Sequence, residues 1–261
     1  MFGFHGMAQE LKMSFLQFKH KILSEQRHIF DADVNVFLSG LSSEFSKREK
    51  CLIAGENYYR AQVGCDLQPC FQEEVYVDDI PVPYSEKRMR PRPDLAREGR
   101  VNPKGISYLY MATTEETALA EVRPWLKQEV SLAQFRLKQD LKVIDLTSNQ
   151  ISRSDAVKIR ISGIFTSGKI THGESIKLAW YELNEAFSQP ITNNEDTSAY
   201  ATTQIIAELI KSKGYDGLMF KSSVAEGKNL VLFDQAKVEF IDCCLRELLE
   251  VKYKFQSIPN Q

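Results

Sequence analysis

No run of apolar residues in the chain approaches the roughly 20 needed to cross a bilayer as a helix. The opening MFGFHGMAQELKMSF has no basic stretch followed by an apolar core, so no secretory leader is expected there. An excess of one charge is also missing. The formal net charge is −2, which provides no global field toward nucleic acid or an anionic membrane, and neither is expected as a direct partner. Cysteine is sparse, and Cys51, Cys65, Cys70, Cys243 and Cys244 are an odd number without a disulfide framework. They read as reduced thiols of a cytoplasmic protein. Cys65 and Cys70 make at most half of a metal site, and no second pair or nearby histidine completes it, so no metal is expected. Glycine is never arranged as G-x-G-x-x-G or as a P-loop, and no internal repeat occurs. If the chain handles a dinucleotide, it does so without a Rossmann fold.

What is present is an ordinary globular composition: 261 residues, 43% hydrophobic and 26% charged, enough for one large domain with or without an appendage. Residues 1–50 read as a helical extension. Leu11, Phe15, Phe18 and Ile22 stripe a helix over Ala8–Arg27, and Val34, Phe37, Leu38, Leu41 and Phe45 repeat the period in a second. Such stripes must be buried, and docking on the following domain, residues 51–261, is the simpler expectation. Asn57–Val63 alternates as a strand with Tyr58, Arg60 and Gln62 on one face. Glu73–Arg97 has four prolines, a basic run (Lys87, Arg88, Arg90, Arg92) and no periodicity, and reads as a solvated loop or a phosphate-steering lid.

The densest stretch is GRVNPKGISYLYMATTEETALAEVRPW, Gly99–Trp125. Asn102-Pro103-Lys104-Gly105 is a turn, and Ile106–Met111 alternates Ile106, Tyr108 and Tyr110 against Ser107, Leu109 and Met111. Thr113 to Glu116 fits a capping box for a helix that must stop or bend near Arg123, before Pro124. On that helix Ala118, Leu119 and Val122 form the buried arc, and Glu121 sits at its edge, half out of water. Further on, Glu129–Leu137, Lys142–Leu146, Gly217–Phe220, Asn229–Phe233 and Lys237–Cys243 read as strands, with a last one possible in Glu247–Ile258. Helices are expected over about Glu174–Phe187 and over Ala201–Ser212, the latter ended by Gly214. Strands interrupted irregularly by helices indicate α+β.

Arg100 in its turn, Tyr110 ten residues on, Glu121 eleven beyond that, and Ser222 in GYDGLMFKSSVAEGKNLVLF together resemble the signature of the RES family. Tyr58–Gln62 is similar to the family's opening Tyr-Arg strand. Phe220-Lys221 stands where that family would be expected to have Tyr-Pro, which leaves Ser222 and Ser223 competing for the motif serine. Helical domains in some relatives are nucleases with an Arg-x4–6-His motif, but none of the chain's histidines has an arginine at that distance upstream. The resemblance implies an ADP-ribosyltransferase-like split mixed sheet with flanking helices. It further implies a cleft for NAD as substrate rather than cofactor, cleavage at the nicotinamide–ribose bond, and a toxin held silent by a cognate antitoxin. By the same resemblance Glu121, Arg100 and Tyr110 are the expected catalytic residues, with Arg60, Tyr108, Ser222 and Asn229 binding NAD. The residue types suit that chemistry. A carboxylate stabilises an oxocarbenium-like sugar, guanidinium groups grip pyrophosphate, an aromatic ring stacks on nicotinamide, and hydroxyl and amide groups orient the ribose. Modification of a protein target by ADP-ribose, and a catalytically silent binding module, are the competing expectations.

Overall fold

The computed structural model describes residues 13–165, 170–189 and 200–251. Two short helices come first. Helix α1 (Phe15–Ser24) starts at a Ser14/Gln17 capping box, and α2 (Ala32–Ser43) at Asp31, whose carboxylate accepts from Val34 N at 2.9 Å. The first ends at Ser24 rather than at the expected Arg27, and residues 8–12 of the expected span, Leu11 among them, lie outside the described residues. Phe15, Phe18, Ile22, Val34, Phe37 and Leu41 are all buried, with Phe18 stacked on Phe37 at 4.8 Å. They share one core with Trp180, Ile206, Ala207 and Ile210 of the later helices α6 (His172–Ser188) and α7 (Ala201–Ser212). At about 1.5–3 kcal/mol for each fully buried apolar side chain, this docking is integral to the fold.

The rest is a mixed α+β structure around one large sheet. Its strands are β1 (Glu49–Leu52), β2 (Asn57–Val63), β5 (Leu109–Ala112), β6 (Glu129–Leu137), β7 (Leu141–Asp145), β8 (Gly217–Lys221), β9 (Lys228–Leu232) and β10 (Val238–Glu247). They lie in the order β1-β7-β8-β9-β5-β2-β6-β10, antiparallel throughout except for β7 beside β8. Apolar side chains cover both faces. Tyr108 and Val231 join the helical layer, whereas Leu109, Met111 and Leu230 join a second cluster with Met89 and Phe135, so the expected alternation along this strand holds. One junction is weak. Strand β2 meets β5 at a single pair, Tyr59 with Ala112, and the sheet opens there.

Several expectations need correction. Glu73–Arg97 is not an aperiodic loop: β3 (Asp66–Gln72) and β4 (Val75–Val82) form a separate hairpin, followed by the short helix α3 (Glu86–Met89). Its two-residue turn, Glu73 and Glu74, has positive φ at both positions, a backbone normally signalled by Asn-Gly rather than by glutamates. The strand of the Gly99–Trp125 block begins at Leu109 because Ile106 is still in the turn, its carbonyl accepting from Asn102 Nδ2 at 2.9 Å. Helix α4 (Glu115–Glu121) is capped by Thr114, not Thr113, since Thr113 is still tied to Lys228, its amide donating to the Lys228 carbonyl and its hydroxyl accepting from Lys228 N. It does end before Pro124, with Arg123 at φ 47°. Helix α5 (Arg153–Phe165) fills a passage in which no helix was expected. Helix α7 ends as anticipated, with Gly214 at φ 85° beyond it. No helix among the described residues is long and apolar enough to cross a membrane.

Candidate active site

The opening between β2 and β5 is the mouth of a cleft of about 440 Å³, lined by Arg60, Arg100, Tyr110, Glu121, Phe220 and Asn229 among others. Where the ladder fails, a side chain takes over: Arg60 Nη1 donates to the Tyr110 carbonyl at 3.0 Å. Burial lowers the Arg60 guanidinium to about 10, against a smaller opposing influence of Tyr110. Its buried Nε has no partner among the described residues. A buried donor left open in this way is costly unless something else accepts from it.

Glu121 is the last residue of α4 and is only half-buried. Its Oε1 accepts two hydrogen bonds, from Ser222 Oγ at 2.7 Å and from Asn229 Nδ2 at 2.7 Å. Its other oxygen has no partner among the described residues. Ser222 is 1% exposed, and its hydroxyl oxygen also accepts from Val224 N and Ala225 N, both at 3.2 Å. Ser223 is exposed and makes no such bridge, so the geometry distinguishes the two serines. The turn from β8 to β9 reaches Glu121 because Gly227 sits directly on α4, where a Cβ would collide with Thr117 Oγ1. Neither Gly227 nor Thr117 stood out in the sequence. Close backbone approach leaves no periodic signal.

Tyr110 is fixed by its hydroxyl, which donates to Asn102 Oδ1 at 2.6 Å and accepts from Val101 N at 3.1 Å. Burial pushes the phenol well above its ordinary value, so it stays neutral. Asn102 in turn donates to the carbonyls of Arg97, Pro103 and Ile106, and Gln204 of α7 donates to those of Gly99 and Asn102. A Cβ on Gly99 would lie 2.8 Å from Asn102 Oδ1 and 2.9 Å from the Tyr110 hydroxyl. Asn102 and Gln204 therefore hold the turn that carries Arg100, a supporting role visible only once the chain is folded. Arg100 Nη1 donates to the carbonyls of Phe187 and Ser188 at 3.0 and 3.2 Å, at the negative end of α6, while the side chain also lines the cleft.

Tyr108 is placed differently. It is buried against Phe233, ring centroids 5.0 Å apart, with Lys211 Nζ 5.0 Å from its ring. It lines a neighbouring chamber of about 620 Å³ rather than the one that holds Glu121. That chamber carries Lys87, Arg88, Arg90 and Arg92 and shares Arg60, Arg97, Asn102 and Tyr110 with the first. Six of the seven anticipated site residues thus lie on one cleft or, for Ser222, directly behind its carboxylate. Tyr108 stands in the core beside it.

Among protein-family models, that of the RES domain matches residues 80–253, more than half of the chain. The matched span omits β1 and β2, which nonetheless belong to the same sheet. No curated protein matches. Among solved structures, the M. tuberculosis MbcT–MbcA toxin–antitoxin complex has a chain that aligns with 80% of this one and 92% of itself, at 12% identity and a TM-score of 0.38. A likeness that slight decides nothing about the site.

Proposed function

The chain belongs to the RES domain family, and from that premise we propose that it degrades NAD by cleaving the nicotinamide–ribose bond, as the toxin of a toxin–antitoxin pair. The observation that carries this reading is the half-satisfied carboxylate. Glu121 has one oxygen clamped by Ser222 and Asn229 and the other left for a ligand in a cleft otherwise walled by arginine and tyrosine. As the glycosidic bond breaks, its electron pair leaves with nicotinamide, whose ring loses its positive charge. The ribose becomes oxocarbenium-like, and a fixed carboxylate beside it stabilises that charge without having to reorganise. Ser222 and Asn229 are neutral donors, so they aim Glu121 without cancelling its charge.

Arg60, with its open Nε, and Arg100 are suited to the pyrophosphate, and the Tyr110 ring to the nicotinamide, its hydroxyl being already engaged. Water or inorganic phosphate then captures the sugar. A cell that makes such an enzyme needs a second protein to silence it, and a cognate antitoxin covering the cleft mouth is the partner we infer. Incubation of the purified protein with NAD, followed by separation of products, tests the reading. Free nicotinamide with ADP-ribose or its phosphate is expected. A labelled macromolecule would indicate ADP-ribosyl transfer to protein instead, and intact NAD would overturn the proposal.

A further inference from the structure

The β3–β4 hairpin is the least covered ordered element described. Opposed residues of antiparallel strands share a face, so Leu67 with Pro81 and Phe71 with Tyr76 form one side, joined by Pro69 through the alternation of β3. Leu67 is 64% exposed, Phe71 60% and Tyr76 52%, and none joins a core cluster among the described residues. A two-stranded hairpin with an uncovered apolar face is marginal in water, and exposed apolar patches of this kind mark interaction surfaces.

Charge identifies what covers it. Residues 66–82 carry Asp66, Glu73, Glu74, Asp78 and Asp79 and no lysine or arginine. The segment that follows at once, residues 83–97, carries Lys87, Arg88, Arg90, Arg92 and Arg97 against Glu86 and Asp94, with Leu95 exposed among them. Within the chain the two regions meet by ion pair only near the base of the arm, at Asp66 and Arg88, 3.5 Å apart. Glu73, Glu74, Asp78 and Asp79 have no ion-pair partner among the described residues, and the tip of β4 lies roughly 24 Å from its base at about 3.4 Å per residue.

An acidic, aromatic arm beside a basic, arginine-rich wall is a self-complementary surface. We propose that this surface binds a second copy of the chain. In a two-fold dimer each arm lies on the other copy's wall, carboxylates against guanidinium groups and Phe71 and Tyr76 under arginine planes. The wall also lines the basic chamber beside the cleft that holds Glu121, so each arm lies along the partner's chamber.

Sedimentation of the full chain at micromolar to tens of micromolar concentration tests this. A dimer is expected, weakening as salt rises. The arm variant Asp78→Lys/Asp79→Lys and the wall variant Lys87→Glu/Arg92→Glu each change exposed side chains, and each is expected to be monomeric with an unchanged circular dichroism spectrum. Mixed in equal amounts, the two should form a heterodimer, because the new lysines of one arm then face the new glutamates of the other copy's wall, while the second contact is the wild-type pairing. Leu67→Ser/Phe71→Ser/Tyr76→Ser should be monomeric and unrescued by either partner. A monomeric wild type, or two monomeric charge variants that fail to pair on mixing, would overturn the proposal.

Discussion

Lys228 and Asn229 are consecutive in β9, and each holds a carboxylate, yet the two acids are treated differently. Lys228 Nζ donates to Asp145 Oδ2 at 2.9 Å, and Thr147 supplies Oδ1 with its amide at 2.9 Å and its hydroxyl at 2.6 Å. Asp145 is 3% exposed, its charge neutralised and both its oxygens occupied. Asn229 donates to Glu121, but no cation pairs with that carboxylate among the described residues, and one of its oxygens has no partner. A saturated, neutralised carboxylate stabilises a fold. One that is positioned by neutral donors and left unfinished keeps its charge for a ligand.

Breaking the Glu121 side should have the largest effect. In Glu121→Gln the amide oxygen can still accept from Ser222 and Asn229, so the fold should survive while the charge is lost. Turnover of NAD should fall at least about a hundredfold, in the range seen when a preorganised electrostatic group is removed. Expression of the wild-type chain alone should lower cellular NAD and arrest growth, and the Gln chain should be harmless. Unchanged turnover in the folded variant would remove Glu121 from the chemistry.

The corresponding change on the other side should do the opposite. Asp145→Asn leaves Lys228 without its counter-charge and weakens the Thr147 bonds, for a cost of about 2 kcal/mol, because Lys228 is partly solvated and a fully buried pair would cost more. In a chain of this size that is a fall in Tm of roughly 5 °C by thermal melt. Turnover per folded molecule should be unchanged. A loss of activity without loss of stability would mean that the two acids share one function.

That contrast was only partly legible in the sequence. Glu121 stood out because a helical wheel leaves it on the edge of an apolar arc, and its neighbours Ser222 and Asn229 came from a motif more than a hundred residues away. Asp145 gave no sign, since its partners Thr147 and Lys228 meet it only after β7, β8 and β9 have paired. Long, alternating strands such as β2 and β6 and the amphipathic α7 were readable from period alone. The hairpin was not, because neither of its faces is covered by the core and its turn uses glutamates at positive φ. Tyr108 shows the limit of alternation. It shares a strand face with Tyr110, but two residues nearer the turn it meets Phe233 rather than the cleft.

Between the two extremes lies Ser222→Ala, which removes one donor to Glu121 and the acceptor for Val224 N and Ala225 N. Asn229 still holds the carboxylate, so a loss of turnover of about tenfold is expected, the size of one lost hydrogen bond, carried mainly by kcat. Measured kcat and KM decide it. Equal losses for Ser222→Ala and Glu121→Gln would mean that the serine acts on the substrate itself rather than through Glu121.

The smallest effect is in the pH dependence of stability, and it belongs to Asp145. Burial by itself raises this carboxyl, but the hydrogen bonds from the Thr147 hydroxyl, the Lys228 ammonium and the Thr147 amide outweigh it and hold the group below its ordinary value. A folded-state value below the unfolded one means that the unfolded chain binds the proton first as pH falls. The contribution to stability is therefore complete above the unfolded value, near 4 by the usual aspartate range, and disappears as pH drops through the lower folded value. Denaturant titrations of the wild type from neutral pH downward should show this loss below about pH 4, and Asp145→Asn, already without the charge, should show a shallower acid limb. The wild-type advantage over Asn should shrink as both are acidified. A gap of constant size across that range would mean that the cost of the substitution is steric, not ionic, and the distinction between a neutralised and an unfinished carboxylate would then rest on Glu121 alone.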